Sequence, residues 1–296
     1  GWRGPVAGRA GVRPGEKKRV FRWRVSYNRG ATVRQAVFVG LRTVPTIALY
    51  SQSVSEYNAY RRTTPVGGVA SIVGRAQTRT PVNLGYSMDL GRTEAQPALF
   101  CAVFNLCDAE ERQRVEKTQR LAILSLAVTR DNSNNLLSPT RGSIIRMEAR
   151  HSSPAILSDS GLQFNKFVGD ASRYLNAGGG NVLAFRIRGG IVYGRSLGSA
   201  TGFIPPSERL YAGGPTTVRG FAQNELGSAI YIASAPFLVV PPAAGGSPDT
   251  VVRDTAGAFR RVVPVGGNSL LVGNVALPLR SPVLPHPLPT PPFPDA

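Results

Sequence analysis

From Val20 to Asn28 apolar and polar residues alternate: Phe21, Trp23, Val25 and Tyr27 on one side, Arg22, Arg24 and Ser26 on the other. A period of two sends successive side chains to opposite faces, which predicts a strand with one wholly apolar side. The pattern returns at Val82–Leu90, where Val82, Leu84, Tyr86, Met88 and Leu90 oppose Asn83, Gly85, Ser87 and Asp89. It returns again at Ser143–Arg150, with Ile145, Met147 and Ala149 opposite Arg146, Glu148 and Arg150. In Val182–Gly194, Leu183, Phe185, Ile187, Ile191 and Tyr193 oppose Arg186 and Arg188. Weaker alternation predicts strands at Thr32–Leu41, Thr46–Glu56, Val66–Thr78, Arg120–Arg130, Gln163–Leu175 and Ser269–Leu279. The reading is all-β, with about ten strands and no long helix between them. The charged run Asp108–Lys117 is the one candidate for a short helix.

The faces decide between all-β architectures. A β-sandwich or a lipocalin-like barrel buries its apolar face and wets the other. Here the polar faces carry arginines and acids in rows and the apolar faces carry aromatics. Strands of about 9–11 residues, apolar outward and polar inward, characterise an antiparallel transmembrane β-barrel with a wet lumen. In lipid such a sheet has to close, because every backbone polar group needs a partner.

Connection lengths set an orientation. Arg42–Pro45, Arg79–Pro81 and Asn176–Asn181 are short, and Asp131–Gly142 is intermediate. Tyr57–Pro65, Gly91–Gln119, His151–Gly161 and Arg195–Asn268 are the longer set. In outer-membrane barrels the short turns face the periplasm and the long loops face outside. A tight turn at Asn28-Arg29-Gly30 is the one exception to this alternation.

Composition sharpens the picture. With 33 glycines and 24 prolines the chain has turns enough for many strands. A formal charge of +18 points either to an anionic partner or to an arginine-rich chain of a high-GC genome. The cations are spread singly along polar faces, which favours a lining or rim over a nucleic-acid patch. Trp23, Tyr27, Phe185 and Tyr193 lie opposite the arginines, whereas single-strand binders place aromatics on the basic face. No nucleic-acid partner is expected. Two histidines leave little room for His-based catalysis, and neither a phosphate-binding Gly-Lys loop nor a Gly-x-Ser-x-Gly elbow is present. No enzyme activity, metal or cofactor is expected.

Cys101 and Cys107 form no CxxC pair. In an outer loop of an oxidising compartment they are placed to form a small disulfide; two free thiols beside an apolar patch are the alternative. The N-terminus lacks the order of a signal peptide and begins inside polar sequence, so the chain is expected to be a fragment. The expected organisation is a flank at 1–19, a partial barrel over 20–280 and a Pro-rich unstructured tail at 281–296.

One stretch stands apart. Leu210–Gly227 is broken by Gly213, Gly214 and Pro215, and holds Val218-Arg219-Gly220-Phe221 between glycine hinges. It looks built to aim one arginine. The whole of Gly213-Gly214-Pro215-Thr216-Thr217-Val218-Arg219-Gly220-Phe221, in a long loop between barrel strands, resembles the BamA/TamA-type outer-membrane protein assembly family, the bacterial surface antigen barrels. Ser138-Pro139-Thr140-Arg141-Gly142 is similar to that family's periplasmic turn, and Gly267-Asn268-Ser269-Leu270-Leu271 to the strand after its sixth outer loop.

The resemblance implies an incomplete barrel of about ten of about sixteen strands, with a loop inserted into the lumen. After Leu279 the family's strand sequence should continue; the Pro-rich stretch instead implies a truncation or frameshift. The resemblance also implies that Arg219 meets the inner wall, and Asp89, Glu148 and Asp170 are its acidic candidates; snorkelling at the rim is the alternative. A family glutamate is expected near Ala276, where this chain has alanine. The implied function is assembly or insertion of outer-membrane proteins in a bacterial outer membrane. Its implied partners are outer-membrane lipid and lipopolysaccharide, unfolded outer-membrane proteins, and accessory assembly proteins. A two-partner-secretion exporter shares the Val-Arg-Gly tip, and a passive anion-conducting porin would share the barrel.

Overall fold

The computed structural model describes residues 27–34, 43–56, 60–75, 78–95, 113, 116–178, 181–194, 204–233, 238–239, 250–251 and 259–277. Its centre is one antiparallel sheet of nine strands. The first eight follow chain order: β1 Tyr27–Arg34, β2 Val44–Glu56, β3 Tyr60–Gly74, β4 Val82–Ala95, β5 Gln119–Asp131, β6 Gly142–Ser152, β7 Phe164–Gly178 and β8 Asn181–Gly194. Within the connection that follows lie β9 Ala229–Ala233, β10 Leu238–Val239, β11 Thr250–Val251 and β12 Phe259–Pro264. β13, Ser269–Ala276, then returns to pair with β8. Among the described residues the sheet is open between β1 and β13, as in a barrel lacking part of its wall.

The alternation read from sequence separates the two faces. Ile47, Leu49, Leu84, Met147, Ile187 and Leu271 stand exposed on one face. The other carries the long connection. There Leu121, Ile123, Phe164 and Val192 of the wall are buried against Ile204, Leu210 and Val263 from that connection. A sheet that exposes its large apolar side chains and covers its mixed face has the polarity of a membrane barrel.

Three expectations are corrected. Asn28–Gly30 is not a turn: β1 runs through it, pairing Asn28 with Gln52 and Gly30 with Tyr50. Glycine is there for close approach, since a Cβ on Gly30 would lie 2.9 Å from the Leu49 carbonyl oxygen. Two predicted strands therefore share one described strand, and the exception in the short–long alternation disappears. Next, Tyr60–Pro65 of the predicted loop belongs to β3, and Gly91–Ala95 of the predicted connection belongs to β4. Pro65 is tolerated because the β3–β4 register shifts between Thr63 and Val66, where a missing N–H breaks no regular ladder. Finally, the connection 195–268 holds a ribbon, with β9 and β12 paired antiparallel. Of the predicted helix Asp108–Lys117, Gln113, Glu116 and Lys117 are described, with Lys117 N donating to Gln113 O at 3.2 Å. Residues 20–26, Cys101, Cys107 and the tail lie outside the described residues.

The loop is fitted to the wall at Gly190. A Cβ there would lie 3.1 Å and 3.2 Å from the two methyl carbons of Leu210. Gly190→Ala is expected to cost about 1–3 kcal/mol by overpacking, read as a lower unfolding temperature of the detergent-extracted barrel.

Candidate functional site

The loop reaches the wall through a short 3-10 turn, Pro206–Glu208. Proline suits the first helical position because its missing N–H would have no partner there. The turn directs Glu208 toward the wall, where the residue is 4% exposed. One carboxylate oxygen lies 3.1 Å from Arg150 Nη1 on β6 and 3.4 Å from Lys166 Nζ on β7. These two cations are direct cross-strand partners. Like charges placed opposite one another repel, and the Glu208 carboxylate lies within reach of both. Tyr50, Gln52, Arg62, Asp89, Arg150 and Glu208 line the adjoining cavity of about 410 Å³. In it the Tyr50 hydroxyl donates to Asp89 Oδ1. Tyr50 reaches across β3 because Gly67 leaves its ring room: a Cβ on Gly67 would lie 2.5 Å from Tyr50 Cε2.

Beyond the root, Leu210 and Gly267 exchange both backbone hydrogen bonds, at 2.9 and 2.8 Å. That clasp ties the outgoing loop to the chain just before β13. The tip is then folded on itself. Gly213 and Gly214 hold φ of +110° and +94°, which side chains rarely adopt. The Thr217 hydroxyl accepts from Gly213 N and donates to Gly213 O, both at 2.9 Å. Gly214 N donates to Phe221 O at 3.2 Å, and Leu226 N to Ala212 O at 3.0 Å.

A wall arginine meets this tip. Arg186 of β8 donates through Nη1 to the Thr216 carbonyl at 3.1 Å. Its Nε lies 3.0 Å from each carboxylate oxygen of Asp170 on β7. The pair is buried, the two side chains being 5% and 12% exposed. Asp170 also has Arg146 and Arg188 as cross-strand partners, so one carboxylate sits among three arginines. One planar guanidinium thus holds a wall acid and a loop carbonyl together, which a point charge on a flexible stem cannot do.

The model of the Omp85 superfamily domain matches residues 13–295. The chain belongs to the Omp85 superfamily. Among solved structures it is similar to BamA from Haemophilus ducreyi lacking POTRA domains 1-3, with a TM-score of 0.59 and 17% identity over 89% of this chain and 47% of that one. At that identity the likeness establishes the fold. The chain spans about half the length of that BamA chain. No curated protein matches it.

In this Omp85 barrel segment the expected site residues fall as follows. Gly213, Gly214, Pro215 and Val218 build the tip, and Arg219, Gly220 and Phe221 are exposed on it. Of the three carboxylates considered for Arg219, Asp170 is held by Arg186, Asp89 accepts from Tyr50, and Glu148 lies 3.8 Å from Arg150. Near the tip, Arg186 of the wall contacts Thr216. Sequence reasoning placed Arg186 on a polar face without giving it a role, and missed Glu208 altogether. A signal for Glu208 did exist: it follows Pro205-Pro206, a start for a short helical turn, in a strongly basic chain.

Proposed function

We propose that this chain is the outer-membrane β-barrel portion of a protein that assembles or inserts outer-membrane proteins in a Gram-negative envelope. The observation that carries this reading is the seated loop, with its root on Arg150 and Lys166 and its folded tip on Arg186. A passive porin conducts through an open lumen whose cations face water. Here wall cations are engaged with a loop that covers the inner face, which favours a protein whose lumen is plugged. The family and the BamA-like fold support the same choice.

The mechanism needs no catalytic residue and no cofactor. An unfolded outer-membrane polypeptide would be inserted at the barrel's seam by strand addition, where backbone hydrogen bonds supply affinity. Outer-membrane lipid and lipopolysaccharide surround the barrel, and accessory assembly proteins are expected partners. Depletion of the full-length protein from its host tests the reading. The protein is expected in the outer-membrane fraction, and levels of many barrel proteins are expected to fall together. Loss of one secreted polypeptide, with barrel proteins intact, would identify a two-partner exporter instead. Recovery as a folded soluble protein without detergent would overturn the membrane reading.

A further inference from the structure

The apolar face carries a dent that neither backbone conformation nor packing requires. Across the sheet, Val128, Met147, Gly169, Gly189 and Leu271 lie on one row, each the register partner of the next. Two adjacent positions in that row lack a side chain. Glycine inside a strand weakens it and usually marks a bulge or a close approach. Neither applies. The β7–β8 register is regular at Gly169 and Gly189, and neither has a positive φ. A Cβ on Gly169 would have nothing within 4 Å, and one on Gly189 would meet only ordinary contacts at 3.8 Å. Gly190 differs, because it is occupied by Leu210 from the loop side.

The missing side chains leave a groove of about 720 Å³, walled by Leu126, Val128, Met147, Phe167 and Ile191. Phe167 stacks on Tyr193 at its outer end, with centroids 6.3 Å apart. Toward the short-turn end the same face carries arginines. Arg130 stands one row of outward positions from the dent, paired with Ile145, which pairs with Ala171. Arg173 stands two rows away, four residues from Gly169 on β7, or about 13 Å along the strand. Both arginines are exposed, and neither forms an ion pair among the described residues. An outward arginine below an apolar belt is held where its stem lies on hydrocarbon and its head reaches the lipid phosphates.

We propose that this face is a binding site for one glycerophospholipid of the periplasmic leaflet, with an acyl chain in the Gly169–Gly189 dent and its phosphate at Arg130 and Arg173. The assignment rests on the outer-membrane reading above, which makes this face lipid-facing and the short-turn end periplasmic. An acyl chain fits because the walls are almost wholly apolar. A phosphate at the arginines gains charge-assisted hydrogen bonds at a separation suited to a chain that starts at the headgroup and ends in the dent. A lipid bound only by general solvation would need neither feature.

The full-length protein, extracted in mild detergent and exposed to phosphatidylglycerol, is expected to retain one lipid per barrel in native mass spectrometry. Gly169→Leu places a side chain in the dent at a position where a Cβ meets nothing within 4 Å, and Arg130→Gln with Arg173→Gln removes the phosphate site. Each variant is expected to lose about tenfold in lipid retention while keeping its outer-membrane location and heat-modifiable mobility. Equal retention by all three proteins would overturn the site, as would a specific preference for lipopolysaccharide over phosphatidylglycerol. Failure of the protein to fractionate with outer membranes would sink the membrane reading itself, so the two failures are distinct.

Discussion

Arg186→Ala is expected to release the loop tip and to destabilise the barrel by about 3–5 kcal/mol, the range for breaking a buried ion pair from one side. Three losses combine. The bidentate grip on Asp170 goes, the Thr216 carbonyl loses its wall donor, and a largely buried carboxylate is left behind. Arg146 and Arg188 remain across the strands from Asp170, which pulls the expected cost toward the lower end. Arg186→Lys keeps the charge but not the fork, so it is expected to fall between wild type and alanine. The measurement is made on the full-length protein: the temperature at which its compact band is lost on unheated gels, with protease sensitivity of residues 204–230. If Arg186→Ala leaves both unchanged, Arg186 does not seat the loop.

That the tip is held by a wall arginine was not readable from the chain alone, and the reason is register. The strands themselves were legible, because alternation is a local property. Val82–Leu90, Ser143–Arg150 and Val182–Gly194 show it in sequence and occur within β4, β6 and β8. Turn chemistry was less secure. Asn28-Arg29-Gly30 has the residues of a tight turn, yet Gly30 is set against the Leu49 carbonyl inside β1. Pro65 reads as a loop residue but sits at a bulge. Both cases are tertiary contacts overriding a local preference. The site lies a further step away. Which acid meets which arginine depends on three strands sliding into one register, and the sequence holds no direct trace of that. Asp170 was identified on the right face, but that Arg186 on the next strand donates to it was not. The motif Gly213–Phe221 was legible because it is contiguous, and its glycines answer to local backbone geometry.

The same register makes Glu208 the second large effect. Arg150 and Lys166 face each other across β6 and β7 with their side chains 27% and 12% exposed. Without an anion between them this part of the wall is self-repelling. Glu208, from the loop, supplies the anion within reach of both cations, whereas Glu148 of the wall lies 3.8 Å from Arg150. Glu208→Ala is therefore expected to cost about 3–5 kcal/mol. Glu208→Gln, which can still accept hydrogen bonds but carries no charge, is expected to cost less. A structural filler and a counter-ion make different predictions for the double variant. If Glu208 acts as the counter-ion, Lys166→Met should restore part of what Glu208→Ala removes, since one cation alone no longer has a like-charged neighbour. The coupling between the two substitutions is expected at about 1–3 kcal/mol. It is measured from urea unfolding of the four proteins of the cycle in detergent. Simple additivity would reduce Glu208 to a packing residue and leave the cross-strand cations to be screened by the solvent in the adjoining cavity.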